Sequence, residues 1–485
     1  MEQQRRIIGL DLGIATAHTG HVLDEFGQTL AKRRVVPTVE GFTALETAAL
    51  AGAGPDVRLE VVIEPTGAAW LPVAVWFTRR GHVVHRVSTQ KSADLRRFLS
   101  RHTKSNSIDA STLARLPLID PDGLRPVALP TTSEQAELDR RVRAAARLTD
   151  KIGQHKRRVI ELARQVMPTI GDVLTQGLTR TDLVVLERYG DPRRLARTRR
   201  DRLVGLVHTT SRGHGNPEVK ADGFLRAARD AIALYGDDVA VPFAAIADEL
   251  VTEIRMIHAL EAERDRHAER REHCYLQVDP HLLARSLPGI GPIGAPMLVA
   301  VMGDPGRFTN AAAFKSYLGL APKASETGNT DRKGQPMSKA GNRRLRTQLF
   351  RSAEIARHQD PQLAAVYYDQ MVHKGAVHTK ALAVVAAKLA ERAFVVMHRG
   401  VAYELRDTEG NLVTAEQAKQ AIAERFTVPD EIRRHRRSKK TGGRAPHKVL
   451  EGRSSSQRSE RDNTRRPSRP QAFPTTDRTS TLAST

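Results

Sequence analysis

"RIIGLDLGIA", residues 6–15, decides how the first quarter of the chain is read. Two isoleucines, a glycine and a leucine run without polar interruption into Asp11, and Gly13 then breaks the run. A short apolar stretch ended by Asp and Gly marks a buried strand whose last residue presents a carboxylate above the sheet. The pattern recurs downstream. "LEVVI" (59–63) runs into Glu64, "GHVVHRVST" (81–89) supplies a further strand, and "HTGHVLDEFG" (18–27) turning into "QTLAKRRVVP" (28–37) supplies a pair. "NSIDASTLARL" (106–116) reads instead as a helix opened by a polar cap, with Asp109 in its first turn. Residues 1–125 are therefore expected to form an α/β domain on a mixed sheet.

Asp11 and Glu64 at strand ends and Asp109 on the adjoining helix give this domain three carboxylates and no other evident catalyst. Cys274 is the only cysteine, which excludes an intrachain disulfide and a cysteine-based zinc site. Any metal has to be held by oxygen or imidazole, and three carboxylates suit one or two Mg²⁺ ions with positions left open for phosphate and water.

Beyond residue 125 the period changes. Leu138, Ala145, Ile152, Val159 and Val166 recur every seven residues, and Phe243, Leu250 and Ile257 do the same after Pro242. Residues 126–280 are expected to hold two long helices as a helical hairpin or coiled coil, within or between subunits, serving oligomerisation. Residues 169–240 between them read as helical without a chemical motif. From 281 to 400 an all-α domain is expected, opened by "LPGIG" (287–291), a helix-hairpin-helix-like turn in which Gly289 and Gly291 would let backbone N–H groups approach a phosphate. A hairpin around Glu409–Gly410 places an extension at 401–430, outside the core.

The charge names a class of partner. The chain holds 77 Lys+Arg against 55 Asp+Glu, a formal +22 that points to a polyanion. Residues 431–485 alone contribute +10, from 15 basic and 5 acidic side chains without apolar periodicity, and read as a disordered phosphate-binding tail. Of the two polyanions, nucleic acid and an anionic membrane surface, the membrane is the weaker reading, and no membrane partner is expected. The start lacks a signal-peptide core, and "ALAVVAAKLAERAFVVM" (381–397) is interrupted by Lys388, Glu391 and Arg392, so a cytosolic, hence cytoplasmic, protein is expected.

"SETGNTDRKGQPMSKAGNRRLR", residues 325–346, has almost nothing to bury. With "GLDLG", "IEPTG", "KSNSIDASTLAR", "LPGIGPIGA" and "FKSYLGLAPKASETGN", it resembles the insertion-sequence transposases that join a RuvC-like DEDD domain, of ribonuclease-H type, to a helical domain with a serine nucleophile. These are the bridge-RNA-guided recombinases. The resemblance spans roughly residues 5–400. It implies metal ligation by Asp11, Glu64 and Asp109, with Asn106 standing where the family's K-T-D-x-x-D-A carries an Asp. At the position of the family's serine this chain has Thr327, with Ser325 as the alternative nucleophile. It further implies double-stranded DNA as substrate, a noncoding bridge-type RNA as guide, and a homo-oligomer, dimer or tetramer. Gly328 and Gly334 would admit the DNA backbone, and Arg332, Lys333, Lys339, Arg343, Arg344 and Arg346 would neutralise it. Two other readings are a metal nuclease of the Holliday-junction-resolvase kind, in which water attacks, and an inactive nucleic-acid-binding transposase remnant.

Overall fold

The computed structural model describes residues 4–99, 105–174, 177–236, 240–323, 326–327, 330–331 and 335–436. The basic tail expected from 431 onward lies outside the described residues beyond 436, as do Ser325, Gly328, Arg332, Lys333 and Gly334.

The opening stretch does form a strand. β1 (Arg6–Asp11) lies at the centre of a five-stranded sheet with β2 (His18–Asp24), β3 (Thr29–Val35), β4 (Leu59–Ile63) and β5 (Val83–Arg86), in the order β3-β2-β1-β4-β5. β1, β2 and β3 pair antiparallel, whereas β4 and β5 join parallel. The parallel steps need crossovers, supplied by α1 (Val39–Leu50) and α2 (Trp70–Arg79). α3 (Thr89–Leu99) and α4 (Asn106–Ile119) complete the domain. The outer strand β3 carries Lys32, Arg33 and Arg34, charges that discourage further edge pairing.

Alternation along the strands divides the core into two faces. Ile8, Leu10, Val61 and Ile63 pack with Phe42, Leu45, Val73 and Phe77 of α1 and α2, while Ile7 and Val62 pack with Leu113, Ala114 and Leu116 of α4. Gly9 lies on the α4 face, where a Cβ would sit 2.0 Å from the Ala110 carbonyl oxygen and 2.3 Å from the Ala114 nitrogen. Both neighbours are backbone, so the contact cannot be relieved by a rotamer change. Gly9→Ala is expected to destabilise the domain by about 3 kcal/mol, the upper end for overpacking. A melting temperature equal to that of the unmodified protein would contradict this close approach.

The remainder is helical. α5 (Ser133–Val166) and α10 (Phe243–Val278) form one intrachain hairpin. His155 Nδ1 lies 2.6 Å from Glu253 and Arg158 3.2 Å from Glu249, so the helices run antiparallel and the heptad seam is filled within the chain. Between them come α6 (Arg180–Tyr189), α7 (Pro192–Ala196), α8 (Arg200–Ser211) and α9 (Pro217–Tyr235), the helical segment expected at 169–240. These share a core with Ile152 to Val166 of α5 and Phe243 to Ile257 of α10. At the other end Leu138, Val142, Cys274 and Tyr275 belong to a second core. Between Ala145 and Ile152 on α5, and between Ile257 and Cys274 on α10, no residue is buried. The rod has an apolar core at each end and a polar waist.

The second core belongs to α11 (Leu283–Ser286), α12 (Gly294–Met302), α13 (Ala311–Tyr317), α14 (Arg343–Ala356), α15 (Pro361–Tyr368) and α16 (His378–Arg399). The charges that interrupt α16 are paired rather than free. Glu391 meets Lys315 at 2.6 Å, and Arg392 meets the fully buried Asp360 at 3.0 Å. The 401–430 extension is a short hairpin closed by an Arg406–Leu412 bridge, followed by α17 (Ala415–Arg425) and α18 (Asp430–His435). It is not detached from the core. Tyr403 packs against the helices and donates its hydroxyl to Asp360 at 2.5 Å.

Candidate active site

In the parallel pairing of β1 and β4, Leu10 stands opposite Ile63, so Asp11 and Glu64 are the next residues along adjacent strands. Gly9 and Val62 face α4, and two residues further on Asp11 and Glu64 fall on that same face. Asp109 immediately precedes Ala110, the residue that rests on Gly9. Three carboxylates thus occupy one face at the C-terminal edge of the parallel strands, the edge at which open α/β sheets bind ligands.

Each side chain has a partner of its own. Glu64 accepts a hydrogen bond from the buried Ser92 hydroxyl. Asp109 accepts from Arg96 Nη1 at 3.1 Å, and Asp11 is also engaged. Among the described residues no three His, Cys, Asp or Glu side chains are gathered closely enough to hold a metal ion. Clustered carboxylates repel one another unless a cation lies among them, and a hydroxyl and a guanidinium here supply compensation singly. Asn106 is exposed, one helical turn before Asp109 and directly after the N-cap Ser105, whose hydroxyl accepts from the Ile108 N–H.

The turn after Asp11 is fixed by His18, which is 1% exposed and whose Nδ1 accepts from the Gly13 N–H at 3.1 Å. An acceptor Nδ1 requires the neutral ring, and burial pushes the His18 pKa down in keeping with this.

The described parts of the apolar-poor stretch pair antiparallel, forming a ribbon. At its base Lys323 N–H donates to Pro336 O (2.9 Å), Ser338 N–H to Ala321 O (2.9 Å) and Lys339 N–H to Gly319 O (3.2 Å). Further out Glu326 pairs with Asp331 and Thr327 with Thr330, antiparallel, which puts Thr327 beside the tip. The base requires its glycines. Gly319 has φ +70 and Gly341 φ +115, and a Cβ on either would meet a backbone oxygen, of Ala340 and Tyr317 respectively, at 2.0 Å. Leu318, Leu320 and Leu345 anchor the base in the helical core.

The basic residues of the ribbon's C-terminal arm divide by position. Lys339 and Arg343 are exposed. Arg344 reaches Asp150 of α5 at 2.8 Å, and Arg346 donates to the Leu318 carbonyl at 2.8 Å, fastening α14 to the arm's base. In the "LPGIG" turn Gly289 (φ +70) lies against α14, where a Cβ would meet Ser352 O at 2.2 Å, and its N–H donates to Gln359 at 2.8 Å. Packing on α14 thus accounts for this glycine. Gly291 is open, with nothing within 4 Å of a Cβ position.

Ser92, Arg96 and His18 are the residues that the sequence reading missed. The spacing of Ser92 and Arg96 in "TQKSADLRRF" could have exposed the first two, since residues four apart on a helix share a face.

Known proteins match the two regions that carry these features. The family model described as "Transposase" for the DEDD IS110 group matches residues 8–168, taking in all three carboxylates and Asn106. That described as "Transposase IS116/IS110/IS902 family" matches residues 281–368, taking in the glycine turn and the ribbon. The "Insertion element IS110 uncharacterized 43.6 kDa protein" of Streptomyces coelicolor is 29% identical over 83% of this chain and 96% of its own length. The "Mini-circle putative transposase for IS117" of the same organism is 27% identical over 73% of this chain and 85% of its own length. The "Pilin gene-inverting protein" of Moraxella lacunata is 27% identical over 26% of this chain and 38% of its own length. Two transposase family models on one chain, with a relative aligned over nearly its whole length, leave one assignment: the chain carries the transposase domains of the IS110/IS116/IS902 family and is a mobile-element DNA transposase/recombinase.

Proposed function

We propose that this transposase cuts and exchanges DNA strands by attack of the Thr327 hydroxyl, assisted by one or two Mg²⁺ ions held by Asp11, Glu64 and Asp109 of a RuvC-like domain, with Asn106 lending an amide oxygen. The observation that carries the reading is the shared edge, with Asp11 and Glu64 adjacent in register and Asp109 on the same face. The donors are all oxygen, which fits a hard divalent cation. Such an ion, when bound, supplies positive charge to the phosphoryl oxygens and lowers the pKa of an attacking hydroxyl.

The chain's own residues do the rest. Thr327 Oγ loses its proton and bonds to phosphorus. The bond from phosphorus to the leaving deoxyribose oxygen breaks, and that oxygen takes up a proton. The reverse attack by a hydroxyl of the incoming strand releases the threonine and restores a phosphodiester, so bond count is conserved. Lys339 and Arg343, with Arg332 and Lys333, neutralise the flanking phosphates. Point charges of this kind do not read bases, and site choice is assigned to a bridge-type RNA paired with donor and target DNA. The working assembly is a homodimer or homotetramer in the cytoplasm. Among the described residues no helix is long and apolar enough to cross a membrane.

The test is a denaturing gel of the protein incubated with Mg²⁺, RNA transcribed from the noncoding segment beside the gene and DNA carrying the element's end, followed by mapping of any DNA-linked peptide. Attachment within "ASETGNTDR" (324–332) at Thr327 is the expected result. Attachment at Ser325 would move the nucleophile. Cleavage without attachment would favour the resolvase-type nuclease, and binding without cleavage the inactive remnant. The tail is expected to add affinity alone. Removing residues 431–485 should flatten the plot of log affinity against log salt by about 0.7 to 0.9 for each phosphate that the tail neutralises. An unchanged slope would make the tail a passive extension.

A further inference from the structure

α3 lies antiparallel against α4 and delivers two side chains to the carboxylate edge. Its beginning is tied down by Lys91, whose Nζ is 2.6 Å from Asp120 at the C-cap of α4 and 3.0 Å from the Gly123 carbonyl. One position on, Ser92 gives its hydroxyl proton to Glu64. A further turn along, Arg96 meets Asp109 at 3.1 Å, both side chains about one-quarter exposed. Residues four apart share a helix face, so one surface of α3 serves both carboxylates.

The two contacts differ in what a metal ion would do to them. A serine hydroxyl is neutral and occupies one lone pair of Glu64, leaving the other oxygen available, so it tolerates a cation on the same carboxylate. A guanidinium carries a full positive charge. A divalent cation brought to the same carboxylate would repel that charge at close range, and partial burial leaves the repulsion only partly screened. Arg96 and a divalent ion cannot both sit on Asp109 without that cost.

Building on the cation site read above, we propose that Arg96 is a positioning residue that stands in for the ion: it holds Asp109 while the site is metal-free and is displaced when the divalent cation binds. The arrangement compensates the charge of Asp109 at the sheet edge and leaves Glu64 held by a neutral donor. It also sets the affinity for the ion below what the carboxylates alone would give.

Calorimetric titration of the full chain with Mn²⁺, without DNA, tests this on the unmodified protein, Arg96→Gln and Arg96→Lys, each checked for fold by circular dichroism. Arg96→Gln should bind the ion about fivefold more tightly, equivalent to ~1 kcal/mol for a partly exposed pair. Arg96→Lys, which keeps the charge, should stay near the unmodified protein. In metal-free buffer Arg96→Gln should melt lower and gain more from added Mn²⁺. Equal or weaker binding by a folded Arg96→Gln, beside measurable binding by the unmodified protein, overturns the stand-in role and leaves the cation site intact. Absence of binding in every variant, the unmodified protein included, removes the cation site and this inference together.

Discussion

Thr327→Val is expected to abolish both the covalent protein–DNA link and recombination, on the order of 10⁴-fold or more, as for removal of other catalytic nucleophiles. Valine matches threonine in shape and removes only the hydroxyl. Thr327 pairs with Thr330 through the backbone, and a β-branched residue suits a strand, so the ribbon should be retained. DNA affinity should therefore change little, which separates a missing nucleophile from a collapsed arm. Thr327→Ser keeps the hydroxyl and is expected to stay active. Recombination surviving Thr327→Val would relocate attack to Ser325 or to water. Combined substitution at 325 and 327 then decides between these, because only water survives it.

Asp11→Asn should be nearly as severe, with a loss of roughly 10³-fold, the several kcal/mol that metal-borne charge stabilisation supplies to such reactions. Asp11 closes β1 opposite Thr19 of β2 and next to Glu64 in register, so the amide leaves the strand pairing unchanged. The variant should fold and bind DNA but form no adduct, and the defect should not be rescued by added Mg²⁺. Full activity in Asp11→Asn would show that the edge of the sheet is not where the chemistry is assisted. Asp11 lies on the sheet and Thr327 on the ribbon, and a severe loss from either substitution is the outcome expected if the two act in one reaction.

β3 is largely exposed, but the centre of the sheet was legible because β1 and β4 are buried on both faces. Such strands are written as unbroken apolar runs, and "RIIGLD" and "LEVVI" lie within a residue of where the runs put them. The long hairpin was legible for a similar reason, since a sustained seven-residue period has few other uses. The ribbon was not. Its backbone pairing involves residues such as Pro322 and Met337, fifteen apart and without strand periodicity, and what fixes it is the close backbone approach at Gly319 and Gly341. The roles of Arg96 and Ser92 were equally hidden. A polar helix following a strand reads as a solvated face until the register of the neighbouring strands reveals which carboxylates it meets. Gly289 carried a different lesson, because a glycine admitted for a phosphate and one admitted for α14 look alike in sequence.

The polar waist of the α5–α10 rod bears on how the molecule comes apart. Each helix runs for ~50 Å at 1.5 Å per residue, with 34 and 36 residues. Most helical stability in a protein comes from tertiary packing of an apolar face, and on α10 no residue between Ile257 and Cys274 is buried. Melting of the α6–α9 core therefore need not propagate to the core formed by α11 to α16. The α6–α9 core is then expected to open and reclose as a cooperative unit of its own, with slower hydrogen exchange retained in the core that holds α12 to α16.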